Sequence, residues 1–200
     1  MRIKIFGIYI QITFWFTAFL SAMLLIDKTG YILPIFCAIL SHEIGHLITM
    51  KVLKCAPKEI ILKPASFEII GFVPKTNLQC VAISAFGSAT NLLLFLLLYF
   101  IYKITNSYLT LIYAAAMLCV GFINLLPSKG LDGGDLLYNL LCLFLNKDKS
   151  MFILKFVSLI TAFAVVFFAI SGVIFKNISL PALIFGIYLF ICTIFTKGEV

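Results

Sequence analysis

Apolar residues along this chain come in runs near the length of a bilayer crossing, and each run ends at charged or turn-forming residues. The runs fall at about 8–26, 31–50, 81–102, 108–126, 151–175 and 178–196. A hydrocarbon core offers no water to backbone amides, so segments that cross it close their hydrogen bonds internally as helices. The pattern therefore predicts an all-α membrane protein, six transmembrane helices forming a single domain over residues 1–200. Two interruptions stand out. Between the second and third runs, residues 51–80 carry Pro57, Pro64, Pro74 and Gly71, which exclude a continuous helix. The pieces "EIILK" and "SFEIIGF" between those breakers are rich in β-branched and aromatic residues and predict a short hairpin-like loop at the membrane surface. After the fourth run, Pro127 and a glycine-rich turn precede "DLLYNLLCLFL", too short to cross and expected as an interfacial or re-entrant helix.

Composition strengthens the membrane assignment: 63% of the 200 residues are hydrophobic and only 12% are charged. The mean hydropathy is +1.17, outside the range of soluble domains. Arg2 and Lys4 before the first run resemble the start of a signal peptide, but no small-residue cleavage site follows and five more runs do, so the first run reads as a retained helix. With an inside N-terminus, 12 of the 15 basic residues fall on the inner side and only Lys28, Lys103 and Lys176 on the outer side. That bias predicts cytoplasmic termini. The net charge of +7 then reports topology and attraction to anionic lipid. A nucleic-acid partner is excluded, because no loop is long enough to form a basic, aromatic-bearing domain. The six cysteines are scattered without C-x-x-C spacing and read as small buried hydrophobes.

The candidate chemistry lies in "SHEIGHLITM", residues 41–50, which holds both histidines of the chain. His42 and His46 stand one helical turn apart on one face, the spacing with which two imidazoles reach a single ion. Glu43 lies beside that face, placed as a general base toward metal-activated water and not as a ligand. The bland alternative is a pair of packing or interhelical hydrogen-bonding histidines. Polar groups at membrane depth are costly and usually functional, which favours the metal. A hydrolytic zinc needs a third protein ligand. Asp27 is on the outer side, whereas Asp148 and Glu199 sit in a lysine-rich turn and a tail. Asp132 in "GLDGGD" lies at a matching inner depth, among Gly130, Gly133 and Gly134, which let the backbone turn close to a metal. Its competing role is to cap the following helix, a role better suited to Asp135.

Together, "HEIGH" at 42–46 and "NLLPSKGLDGG" at 124–134 resemble the site-2 proteases, zinc metalloproteases that cut substrates within the membrane. The resemblance implies His42, His46 and Asp132 as zinc ligands, Glu43 as the base, and Asn124 near the site, orienting substrate or water. A weaker match, "FGSATN" at 86–91, has Ser88 where many members have proline; Asn91 is then either a site residue or an ordinary interhelical hydrogen-bonding residue. Six spans, cytoplasmic termini and no PDZ insertion look most like the stage IV sporulation protease that activates a pro-sigma factor. That likeness implies a multi-pass protein of a bacterial cell membrane. Its substrates would be membrane-associated proteins and its regulators membrane-embedded ones. Relatives of that type often carry a C-terminal CBS domain; the chain stops at Val200, so the expectation is no such domain and no ATP control. The alternative from another class, a metal-binding membrane transporter or scaffold, expects ionisable groups along a path across the bilayer, and the outer halves of the runs hold essentially none.

Overall fold

A computed structural model describes residues 2–5, 8–63, 66–71, 74, 76–174 and 180–195. Of the sequence features above, Pro64, Lys176 and Glu199 lie outside the described residues, as do the outer ends of the last two runs. In chain order the elements are β1 (Arg2–Ile5), β2 (Ile8–Ile12), α1 (Phe14–Ile26), α2 (Ile32–Val52), β3 (Glu59–Lys63), β4 (Ser66–Ile70), α3 (Asn77–Thr105), α4 (Tyr108–Asn124), α5 (Asp132–Leu141), α6 (Lys147–Ile174) and α7 (Leu180–Phe195).

The helix expected over 8–26 is corrected by this order: residues 8–12 form a strand, and helix begins only at Phe14. Residues 2–5 and 8–12 alternate Ile3, Ile5, Ile8, Ile10 and Ile12 with Arg2, Lys4, Tyr9 and Gln11, so each carries a strand period that a hydropathy window averages away. β1 and β2 pair antiparallel, Ile3 opposite Ile10 and Ile5 opposite Ile8. β2 pairs parallel with β3, and β3 antiparallel with β4. The expected hairpin is thus half of a four-stranded sheet in the order β1-β2-β3-β4. Thr13 is the joint between sheet and helix. Its hydroxyl accepts from the Phe16 N–H at 3.3 Å as the N-cap of α1, and lies 2.7 Å from the Leu62 carbonyl of β3, to which it donates.

Among the described residues, three helices, Ile32–Val52, Asn77–Thr105 and Lys147–Gly172, are long and apolar enough to cross a membrane. The apolar stretches Phe14–Ile26, Tyr108–Asn124 and Ile184–Ile194 are shorter. Among the described residues, an apolar helix thus stands within each of the six expected runs, and three of the six are long enough to cross by length and composition. The first is short because its leading residues belong to β2; the fourth ends in a tightened turn, Leu125 N–H to Phe122 O and Leu126 N–H to Ile123 O, ahead of Pro127. Leu93, Leu96 and Phe100 on α3, and Phe163, Phe167 and Phe168 on α6, are exposed large apolar side chains, an apolar surface suited to lipid.

The chain divides into two compact units, Met1–Lys75 with Ala89–Gly121, and Thr76–Ser88 with Phe122–Val200. In the first, Ala38 of α2 and Ala116 and Met117 of α4 form a buried cluster against Leu94, Phe95 and Leu98 of α3. The small residues let helices approach closely. In the second, α6 and α7 pack along their lengths, with Phe163 edge-on to Phe190 at 5.5 Å.

Because Thr13 caps α1 and ties it to β3, Thr13→Val should lower the thermal unfolding midpoint of the detergent-purified chain, a loss of about 1–2 kcal/mol. Thr13→Ser should retain the wild-type midpoint.

Candidate metal centre

Helix α2 carries two functional faces. With about 100° between successive residues, Ala38, His42, Gly45, His46, Thr49 and Met50 fall on one side, and all of them are buried. Leu40, Ile44 and Leu47 fall on the opposite side, toward Ile10, Ile60 and Leu62 of the sheet. Glu43 stands at the boundary between the two faces. The histidines are 4% and 7% exposed, so water does not solvate them in place of a partner. Their rings meet edge to face, with centroids 4.6 Å apart, and the two Nε2 atoms are 3.0 Å apart.

Two nitrogens about 2.0–2.1 Å from a tetrahedral zinc stand roughly 3.3 Å apart. The pair is within a few tenths of an ångström of that separation, and each imidazole brings the same ring nitrogen to the contact. The same approach accommodates a shared N–H···N proton. Neutral imidazole is the preferred nitrogen donor for zinc, so the pair fits such a metal in geometry and donor type.

Asn91 holds this helix from the side. It is fully buried, its Nδ2 donates to the Ala38 carbonyl at 3.1 Å, and its Oδ1 lies 2.7 Å from the Ser41 hydroxyl. Ser41 immediately precedes His42, so the contact pins α2 at the residue where the metal-binding pattern begins. Among the described residues this gives Asn91 the role of interhelical tie. Ser41 was not singled out by its motif. The available signal was that two polar side chains in apolar helices must each find a partner.

In the other unit, Asp132 opens α5, with Leu131 as the N-cap residue and Asp132 and Asp135 both in the first turn. Neither aspartate is the N-cap, which removes the competing role considered for each; their charges instead complement the helix N-terminus. The helix expected from residue 135 onward thus begins three residues earlier. Asn124 ends α4, at the start of the loop leading to α5.

The glycines beside Asp132 serve a different purpose from the one their flexibility suggests. A Cβ on Gly133 would lie 2.2 Å from the Leu125 carbonyl oxygen and 2.5 Å from that of Leu126. A Cβ on Gly134 would lie 2.3 Å from the Ser128 carbonyl oxygen. Both positions are helical, and their lack of a side chain lets the first turn of α5 seat directly on the backbone of residues 125–128. Only Gly130, with φ of +92°, supplies the backbone turn that the sequence suggested. Nearby Lys129 is buried and its N–H donates to the Ser158 hydroxyl at 2.9 Å. Burial holds its ammonium pKa below the usual lysine value, Lys155 adds to the effect, and Asp135 partly opposes it.

Other acids are occupied elsewhere. The Asp27 carboxylate accepts from the Thr29 N–H and hydroxyl and from the Gly30 and Ile32 N–H groups, closing the turn between α1 and α2. These bonds, that of the Thr29 hydroxyl foremost, lower its pKa to about 2. Asp148 is exposed in the first turn of α6. All six cysteines are free thiols.

No protein-family model matches the sequence, and no curated protein matches it. Among solved structures, a site-2 protease from Methanocaldococcus jannaschii superposes with a TM-score of 0.64, covering 100% of this chain and 98% of that one at 19% identity. The fold is that of a site-2 protease. The likeness spans the site-2 protease chain nearly from end to end, so it includes both the sheet-bearing and the α5-bearing parts of this protein.

Gly133→Ala should lower the unfolding midpoint, a loss of about 1–3 kcal/mol of stability, because backbone must move to admit the methyl. Lys129→Met should raise the midpoint at neutral pH. The folded state disfavours the ammonium, so wild-type stability is penalised below the folded pKa and recovers as pH rises toward the unfolded value. The gap between the variant and wild type should therefore narrow in melts taken toward pH 10.5.

Proposed function

We propose that this chain is an intramembrane zinc metalloprotease, its two units working as one catalytic domain in a bacterial cell membrane with both termini in the cytoplasm. The observation that carries the reading is the buried pair of Nε2 atoms 3.0 Å apart in α2, with Glu43 at the edge of their face. The site-2 protease fold supports it. The proposed ligands are His42, His46 and Asp132, each offering one ligand atom, an imidazole nitrogen from each histidine and a carboxylate oxygen from the aspartate. Two neutral nitrogens and one anionic oxygen suit a hydrolytic zinc with an open position.

When bound, zinc supplies Lewis acidity toward water and the scissile carbonyl. Glu43 takes the proton of the attacking water and delivers it to the leaving amine, so one carboxylate serves as base and then as acid. Buried surroundings keep the imidazoles oriented and exclude competing water. Asn91 and Ser41 position the helix and take no part in proton transfer. Asn124 orients substrate or water.

A helical substrate resists cleavage because its carbonyls are hydrogen-bonded and covered, so it must present an extended segment. β4 is the terminal strand of the described sheet. The Ile70 carbonyl accepts from Lys58, and alternate residues turn their backbone groups to opposite sides, so Phe67 and Ile69 direct theirs away from β3. Edge pairing there receives the substrate. Membrane-associated pro-sigma or anti-sigma factors, processed during sporulation, are the proposed substrates.

Co-expression with such candidates tests the reading. Glu43→Gln should bind zinc at wild-type stoichiometry and lose cleavage by roughly 10²–10⁴-fold, whereas Asp132→Asn should lose zinc on dialysis. Cleavage surviving in Glu43→Gln would refute the mechanism. Phe67→Pro and Ile69→Pro should impair cleavage while zinc content stays at one per chain; full cleavage would remove the edge-pairing step.

A further inference from the structure

A cavity of about 160 Å³ lies between α2 and the sheet, lined by Ile10, Leu40, Ile44, Leu47, Ile60 and Leu62, with Glu43 in its wall. Its geometry follows from two periods meeting. Leu40, Glu43, Ile44 and Leu47 are spaced i, i+3, i+4 and i+7, one face of the helix. Ile60 and Leu62 are two apart on β3, and Ile10 is the register partner of Ile60 on β2, so the three share one face of the sheet. The helix and sheet faces are aliphatic, and Glu43 is the ionisable group among the lining residues.

Protein interiors close such gaps when they can, because every lining atom loses contact energy to a void. Size and chemistry fix what fills this one. An engineered apolar cavity of about 150 Å³ accepts one benzene molecule, so this cavity matches one leucine, isoleucine, methionine or phenylalanine side chain and is too small for a lipid acyl chain. The cavity surface is wholly apolar, so Glu43 contributes its side-chain stem to the wall, and that stem connects the cavity to the proton-transfer group of the proposed mechanism. We infer that this cavity is a specificity pocket that takes one large apolar side chain of the substrate, beside the stem of the proposed base Glu43, an inference that rests on the protease reading. The preferred substrate is then an extended segment bearing such a side chain at one fixed position, with no matching demand for charge.

The test uses the zinc-loaded full chain in detergent micelles and β-casein, an unfolded chain rich in cleavable extended segments, with cleavage sites mapped by mass spectrometry. A fluorescein-labelled serine- and alanine-rich 12-mer carrying one central leucine or alanine gives cleavage rates with wild type and affinities with Glu43→Gln. Casein sites should share Leu, Ile, Met or Phe at one fixed position relative to the cut, and the leucine peptide should exceed the alanine peptide about 10- to 100-fold in kcat/KM. Leu47→Trp, which fills the cavity, should shrink that ratio by about tenfold or more, whereas Leu62→Ala, which enlarges it, should shift casein cuts toward Phe and Trp. Glu43-dependent cleavage without a fixed apolar position, or an unchanged leucine-to-alanine ratio in both variants, would overturn the pocket while leaving the protease reading intact. Absence of Glu43-dependent cleavage by wild type would count against the protease reading. In that case a leucine-over-alanine preference in binding to Glu43→Gln, lost on adding Leu47→Trp, would still support the pocket, and equal affinities would overturn it.

Discussion

Two imidazoles buried side by side in an otherwise apolar helix set the terms for everything around them. A polar group away from water is costly unless it is bonded, and His42 and His46 bring their Nε2 atoms within 3.0 Å of each other. Such convergence needs helical spacing, a buried face and a helix that does not rotate. The close-packed alanines of the first unit supply the burial, while Asn91 and Ser41 supply the fixed rotation. The remaining face of α2 looks onto the sheet, so one helix presents a ligand pair, a base and an apolar wall in sequence around its circumference.

The second unit solves a matching problem with backbone instead of side chains. Asp132 is the first residue of α5, and the turn it starts is pressed onto the 125–128 backbone so tightly that a methyl group at either following position has no room. The backbone that carries the aspartate is thereby held by main-chain contact. Both carriers of the proposed ligands are short on conformational freedom, as preorganised hydrolytic sites require.

Much of this was legible in the chain. The i, i+4 histidines, the adjacent glutamate and the Asp132-Gly-Gly turn are local patterns whose chemistry depends on spacing alone. Long apolar runs likewise gave α2, α3 and α6 nearly to their ends. The first run misled because apolar strands and apolar helices have the same mean hydropathy; only the period of two in residues 2–12 distinguishes them, and its pairing with β3 is a contact between segments some fifty residues apart. The purpose of Gly133 and Gly134 was also hidden. A glycine in sequence suggests turn freedom, whereas these two are helical and their role is visible only once the carbonyls of Leu125, Leu126 and Ser128 are placed. Ser41 and the aliphatic pocket went unseen for the same reason, being defined by what faces them.

Zinc K-edge X-ray absorption on the purified, zinc-loaded chain addresses the central claim most directly, since it counts donors at the metal without requiring a substrate. Two imidazoles, a carboxylate and a water should give one zinc per chain with a first shell of four nitrogen and oxygen atoms at about 2.0–2.1 Å, imidazole outer-shell scattering, and loss of that shell when His42 and His46 are both replaced by alanine. A sulfur shell near 2.3 Å, drawn from the free cysteines, or a zinc environment unchanged in the double variant, would contradict it.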